Sequence, residues 1–203
     1  MDNIWEIVHQ ERQALIDHLD GLTAEQWNTQ SLCDDWTVHD VLAHLVDDAK
    51  TTKPSFVRNL ILARFNFDRA NQNGVDRERK HTPQQTLEAF HQVSDRTSSA
   101  PAPLASRLVE IIVHGEDIRR PLGISHVYPV DAIIAAIDYQ LATSDSMGGS
   151  KDRATGLKLI ATDADWSHGN GAGVRGHAID ILMTFTRRPV SNDALTGEGV
   201  TSL

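Results

Sequence analysis

The sequence predicts a mainly α fold, a helical bundle over residues 1–145 followed by a small α+β appendage over 150–203. Three observations carry this prediction. Apolar residues recur at three- and four-residue steps through most of the first part. Helix breakers, namely Gly21, Pro54, "SSAPAP" and Pro121–Gly123, fall between those runs rather than inside them. Beyond "SDSMGGSKD", the most linker-like stretch, "GLKLIATDADW" alternates as a strand does.

Residues 3–20 read as a first helix on Ile4, Ile7, Val8, Leu15, Ile16 and Leu19, ended by Gly21. "LTAEQW" is a turn or a short helical piece. A second long helix starts at Thr37, which with Asp40 makes a capping-box variant, and Trp36 is placed to staple onto Val41. Pro54 restarts the chain into a helical stretch over 55–70, and "NQNGVDRERKHTP" reads as a loop. Helices are expected over 83–99, about 104–120 and 131–142. In the appendage a strand, a glycine-rich turn and the helix "GHAIDILMTFTRR" follow one another.

Composition narrows the function. The 203 residues are 40% hydrophobic and 23% charged, enough to bury a core. The net charge of −9, without a basic run, argues against nucleic acid or an anionic membrane as main partner. Cys33 is the only cysteine, so an intramolecular disulfide and a thiolate zinc cluster are both excluded. "MDNIWEIVHQERQ" lacks the apolar stretch of a signal peptide, and no apolar run approaches the ~18 residues of a membrane span. A cytoplasmic protein is the expectation.

The stretch "LVEIIVHGEDIRRPLG" poses the chemical question. Leu108, Ile111, Ile112, Gly115, Ile118 and Leu122 form an apolar face, yet Glu110 and His114 lie among them one turn apart. At 100° per residue these two are within roughly 40° of each other on the margin of that face. His44 occupies a similar margin of the helix beginning at Thr37. If the helices are neighbours, the three side chains meet between them. Two imidazoles and one carboxylate suit zinc or another borderline divalent ion and leave a coordination position open. The plainer alternative is an i,i+4 pair worth a few tenths of a kcal/mol, and spacing alone leaves both standing.

Two motifs, "SLCDDWTVHDVLAHL" (31–45) and "VEIIVHGEDIRRPLGI" (109–124), resemble the DinB-like superfamily, and within it the mycothiol-dependent maleylpyruvate isomerase N-terminal family of actinobacteria. The resemblance covers about residues 1–125, and "ATDADWSHG…GHAIDIL" is similar to the C-terminal extension of that group. It implies a four-helix bundle whose divalent metal is held by a histidine of the second helix and a Glu-x-x-x-His pair of the fourth, here His44, Glu110 and His114. Zinc is the first expectation, with nickel or manganese as alternatives. The resemblance further implies a low-molecular-weight thiol, mycothiol, as cosubstrate, held as thiolate to attack a small electrophile in S-transfer or isomerisation. A metal-dependent hydrolase and a non-catalytic, metal-stabilised binding or regulatory module are the competing functions, and a homodimer is compatible with either.

Other residues have narrower readings. Asp117 could accept the second N–H of a ligand histidine, or pair with Arg119 or Arg120. Arg119 and Arg120 could bind a substrate carboxylate, or simply complement a helix C-terminus. Trp27, Trp36 and Cys33 read as core or staple residues. "GAGVRG" matches G-x-G-x-x-G, but too little chain follows for a dinucleotide fold, so a turn is expected. "DADWSH" reads as Asx-turn chemistry rather than an ion site.

Overall fold

The computed structural model describes residues 3–203; the first two residues of the opening stretch lie outside the described residues. Two compact units result, Met1–His126 and Val127–Leu203. The first is helical: α1 (Ile4–Leu19), α2 (Ala24–Trp27), α3 (Val38–Lys50), α4 (Lys53–Leu62), α5 (Phe67–Glu78), α6 (Pro83–His91) and α7 (Ala105–Arg119). Helices α1, α3, α6 and α7 form the four-helix bundle: α7 packs on α1 and α3, and α6 closes the ring against the same two. Leu15, Leu19, Val41, Leu42, Phe90, Leu108 and Ile112 fill its core.

Local chemistry starts and stops these helices. Thr37 caps α3 through the Asp40 N–H while the Asp40 carboxylate accepts the Thr37 N–H, the reciprocal box the sequence predicts. Beyond α7 the chain turns at Gly123, whose φ of 69° suits glycine, and the Ile124 N–H returns to the Arg119 carbonyl. Helix α7 is buried on nearly every side. From Ser106 to Arg119 only Glu110 and His114 escape full burial.

The 3.6-residue pattern misplaces one element. "NQNGVDRE" is not loop but the body of α5, which packs broadly on α3. Its glycine misleads: a Cβ at Gly74 would overlap the Asp47 carboxylate, so this glycine serves close helix approach rather than a turn. The interruption falls earlier, at Arg64 and Phe65, both at positive φ. Helix α6 also ends at His91, short of the expected 99. Helix α4 buries none of its residues and leaves Val57, Ile61 and Leu62 exposed.

The second unit contains α8 (Val130–Ala142), α9 (Ala178–Phe185) and a sheet of four short strands, β1 (Leu157–Ala161), β2 (Ser167–Gly169), β3 (Ala172–Gly176) and β4 (Leu195–Thr196), in the order β2-β1-β3-β4. Strands β1 and β3 run parallel with Leu159 opposite Val174, both fully buried, and α9 packs on both strands. Because α8 packs on α9, the division falls at residue 126 and not near 145–150, where composition puts it. "GAGVRG" is strand β3 and its entry, not a turn. Gly171 (φ 135°) is required because a Cβ would overlap the Gly156 carbonyl. Asp163 of "DADWSH" accepts the Ala178 N–H at 2.9 Å and so caps α9. Among the described residues no helix is long and apolar enough to cross a membrane.

His39, on α3, is 2% exposed, with Nε2 2.8 Å from the Thr86 hydroxyl. Burial, with Arg79 nearby, pushes its pKa down to about 4. The folded protein therefore holds His39 neutral, whereas the unfolded chain takes up the proton near pH 6.5. Its contribution is full above pH 6.5 and is lost as pH falls toward 4, on the order of 3 kcal/mol across that window. Urea unfolding at a series of pH values should show a shallower acid loss in His39→Gln than in the wild type.

Candidate metal centre

The site forms where α3 and α7 face each other. His44 Nε2 lies 3.3 Å from Glu110 Oε2, and His114 Nε2 lies 3.4 Å from the same oxygen. The two imidazole rings are 4.6 Å apart, edge to face. Two nitrogens thus converge on one carboxylate oxygen, and the three donor atoms lie within 4.8 Å of one another. His44 and His114 are largely buried, while the Glu110 side chain retains 30% exposure, which makes this the solvent window of α7 between Ser106 and Arg119.

Both separations lie within hydrogen-bonding or ion-pairing reach, and both also suit ligands of one ion. N–H···O bonds cluster near 2.9–3.0 Å, so 3.3 and 3.4 Å stand at the long end of hydrogen bonding. A tetrahedron with bonds of ~2.0–2.1 Å has edges of about 3.3–3.4 Å, the spacing of ligands around a zinc-sized ion. The donor chemistry and spacing therefore fit a divalent metal.

The neighbours orient His114. Its Nδ1–H donates to Asp117 Oδ2 at 2.8 Å, leaving the Nε2 lone pair aimed at the cluster. Asp117 is fully buried and also accepts the Cys33 thiol at 3.1 Å on the same oxygen. Cys33 stands in a loop tied down locally: the Leu32 N–H binds the Asp117 carbonyl, and the Gln30 amide donates to the carbonyls of Cys33, Asp34 and Trp36. The same loop carries Trp36, whose ring lies 5.0 Å from that of His44 and whose Nε1–H donates to Gln72 of α5. His44 differs from His114 in one respect. Its Nδ1 is buried and has no hydrogen-bond partner among the described residues, so packing against Trp36 orients that ring.

Electrostatics follow from these contacts. Burial raises the Glu110 pKa, but His114, His44 and Arg107 outweigh it and hold the carboxyl well below its ordinary value. Burial opposes protonation of His114, yet Asp117, Cys33 and Glu110 hold that imidazolium well above the usual histidine range. A cluster that stabilises a proton on His114 stabilises a cation there in general, and a bound metal replaces the proton.

Residues 8–106 match the family model of the mycothiol maleylpyruvate isomerase N-terminal domain. That segment contains the first of the two motifs, residues 31–45, and ends before the second, residues 109–124. The match includes His44 and stops just short of Glu110 and His114. Two solved structures share the fold, the mycothiol-dependent maleylpyruvate isomerase and a histidine-to-alanine mutant of it, with TM-scores of 0.63 and 0.62. Each is 14% identical and covers 97% of this chain and 92% of its own. At that identity the likeness shows the fold, a bundle with a C-terminal extension. No curated protein matches the chain.

The structure brings His44, Glu110, His114 and Asp117 together. Asp117 turns to His114, while Arg119 donates to His18 and Arg120 to Glu116. Sequence reasoning missed three neighbours. Trp36 and Cys33 were assigned to staple and core, and their approach to α7 is a tertiary contact without a local signal. Arg107 had one available, since it precedes Glu110 by three residues on the same helix.

Replacing Asp117 by Asn should weaken metal affinity roughly 10–100-fold, because His114 loses the anionic acceptor of its Nδ1–H. Competition with a chromophoric chelator measures this directly; unchanged affinity would mean that Asp117 serves packing alone.

Proposed function

We propose that this chain is a divalent-metal-dependent enzyme of thiol chemistry, activating a low-molecular-weight thiol such as mycothiol for isomerisation of, or S-transfer to, a small electrophile. The observation that supports it best is the convergence of His44 Nε2 and His114 Nε2 on Glu110 Oε2, where α7 opens to solvent between Ser106 and Arg119. The family match and the mycothiol-dependent activity of the structural neighbours support a thiol as the cosubstrate.

The chain's residues divide the work. His44, Glu110 and His114 would hold the ion and leave a position facing the window. Asp117 keeps the His114 proton on Nδ1 and its lone pair on Nε2. The Trp36 ring packs beside His44 and lies 6.4 Å from the His114 ring. A divalent ion in this set, with one anionic ligand, carries net positive charge and supplies a lowered thiol pKa, so that nucleophile is present near neutral pH where a free thiol (pKa ≈ 8.5) is mostly protonated. The thiolate then adds to the electrophile; retention of the new C–S bond gives a conjugate, and its departure after rotation gives an isomer.

Metal analysis of protein purified without a histidine tag should give about one zinc-class ion per chain, lost in both His44→Ala and Glu110→Ala. Turnover of electrophiles should require added thiol. Metal absent from the wild type, with unchanged stability in both variants, overturns the proposal. Turnover without thiol would instead point to hydrolysis, and bound metal without turnover to a binding module.

A further inference from the structure

Arg107 sits on α7 one turn before Glu110 and is 4% exposed. Its guanidinium pairs with Asp48 of α3 through Nη1, its Nε donates to Ser106 Oγ at 3.2 Å, and its Nη2 lies 3.9 Å from Glu110 Oε1. The two oxygens of Glu110 are therefore turned to different partners. Oε2 faces the histidines and Oε1 faces the cation. We propose that Arg107 is a positioning residue that restricts Glu110 to ligation through one oxygen and so keeps a coordination position open for substrate. This rests on the metal reading above.

A carboxylate can ligate through one oxygen or both. Ligation through both fills a further position and gives a crowded centre; ligation through one leaves three protein ligands and an open place. A cation beside Oε1 stabilises charge on that atom, and a swing toward the metal would forfeit the interaction. Asp48 makes the arrangement durable. It holds the guanidinium from the facing helix, so Arg107 is not a buried unpaired charge and cannot rotate away freely. The planar fork addresses Asp48 and Glu110 with different nitrogens at once, which the single ammonium of a lysine does not do.

Cobalt(II) reports the difference, because its visible absorption is strong in four-coordinate sites and weak in five- or six-coordinate ones. The neutral pair Arg107→Gln with Asp48→Asn removes both charges together and avoids a buried orphan, and Arg107→Lys keeps the cation without the fork. Wild-type protein loaded with cobalt should show the strong band. The neutral pair should bind cobalt stoichiometrically with the band reduced about twofold or more, and Arg107→Lys should fall between. Titration with N-acetylcysteine, followed by the sulfur-to-cobalt charge-transfer band, should show about fivefold or greater weakening in the neutral pair. A weak band in the wild type, or wild-type band and thiol affinity in whichever variants fold, overturns the role of Arg107 and leaves the metal reading intact. Failure of the wild type to bind cobalt overturns the metal reading itself.

Discussion

The candidate centre depends on one buried carboxylate. Asp117 is fully excluded from solvent, and an ionised group in that position costs several kcal/mol unless it is well partnered. It is partnered twice on one oxygen, by the His114 ring and by the Cys33 thiol, while its own carbonyl accepts the Leu32 N–H. These bonds do two things together. They fix which nitrogen of His114 faces the cluster, and they anchor to α7 the loop that carries Trp36 over His44. Without Asp117, ligand orientation and the Trp36 loop would both loosen.

Charge alternates outward from that point. Asp117 faces His114, His114 faces Glu110, Glu110 faces Arg107, and Arg107 faces Asp48. The chain runs along α7 and crosses to α3, so the two helices that carry the three candidate ligands are also joined by an ion pair. Each member is mostly buried, and each would be costly alone. Burial and pairing thus account for both pKa directions in the centre: Glu110 held low and His114 held high despite desolvation that works against each. Buried, mutually paired groups of this kind are held in place by one another, the preorganisation that the metal reading calls for.

Much of this was legible in the sequence, and the misses have physical causes. Glu110, His114 and His44 stand out because they are polar at the margins of otherwise apolar stripes, and periodicity makes such exceptions visible. Asp117 is visible for the same reason, at three residues from His114. Trp36 and Cys33 were not, because a loop folding onto a helix leaves no periodic trace. Glycine was the commonest source of error. Gly74 and "GAGVRG" read as turn and loop chemistry, yet Gly74 admits the Asp47 carboxylate and Gly171 admits the Gly156 carbonyl. Glycine has two uses, conformational freedom and close approach, and a single sequence does not say which applies. The position of α8 was missed similarly, since its apolar face fits either unit and only its packing on α9 decides.

The fold and the chemistry carry separate weights. A bundle core tolerates extensive exchange of apolar residues when volume and pattern are kept, so a TM-score of 0.63 at 14% identity is what packing physics permits. Donor atoms tolerate no such exchange: an imidazole nitrogen or a carboxylate oxygen has no apolar substitute. The shared scaffold therefore explains why α3 and α7 face each other, but not what they do there. That turns on the two positions of α7 that reach solvent between Ser106 and Arg119, and both carry side chains of types able to ligate a metal. A purely structural role would be served there as well by any polar pair. It would need neither the buried Asp117 behind His114 nor the oxygen of Glu110 that faces both histidines, and those two features carry the case for a working centre.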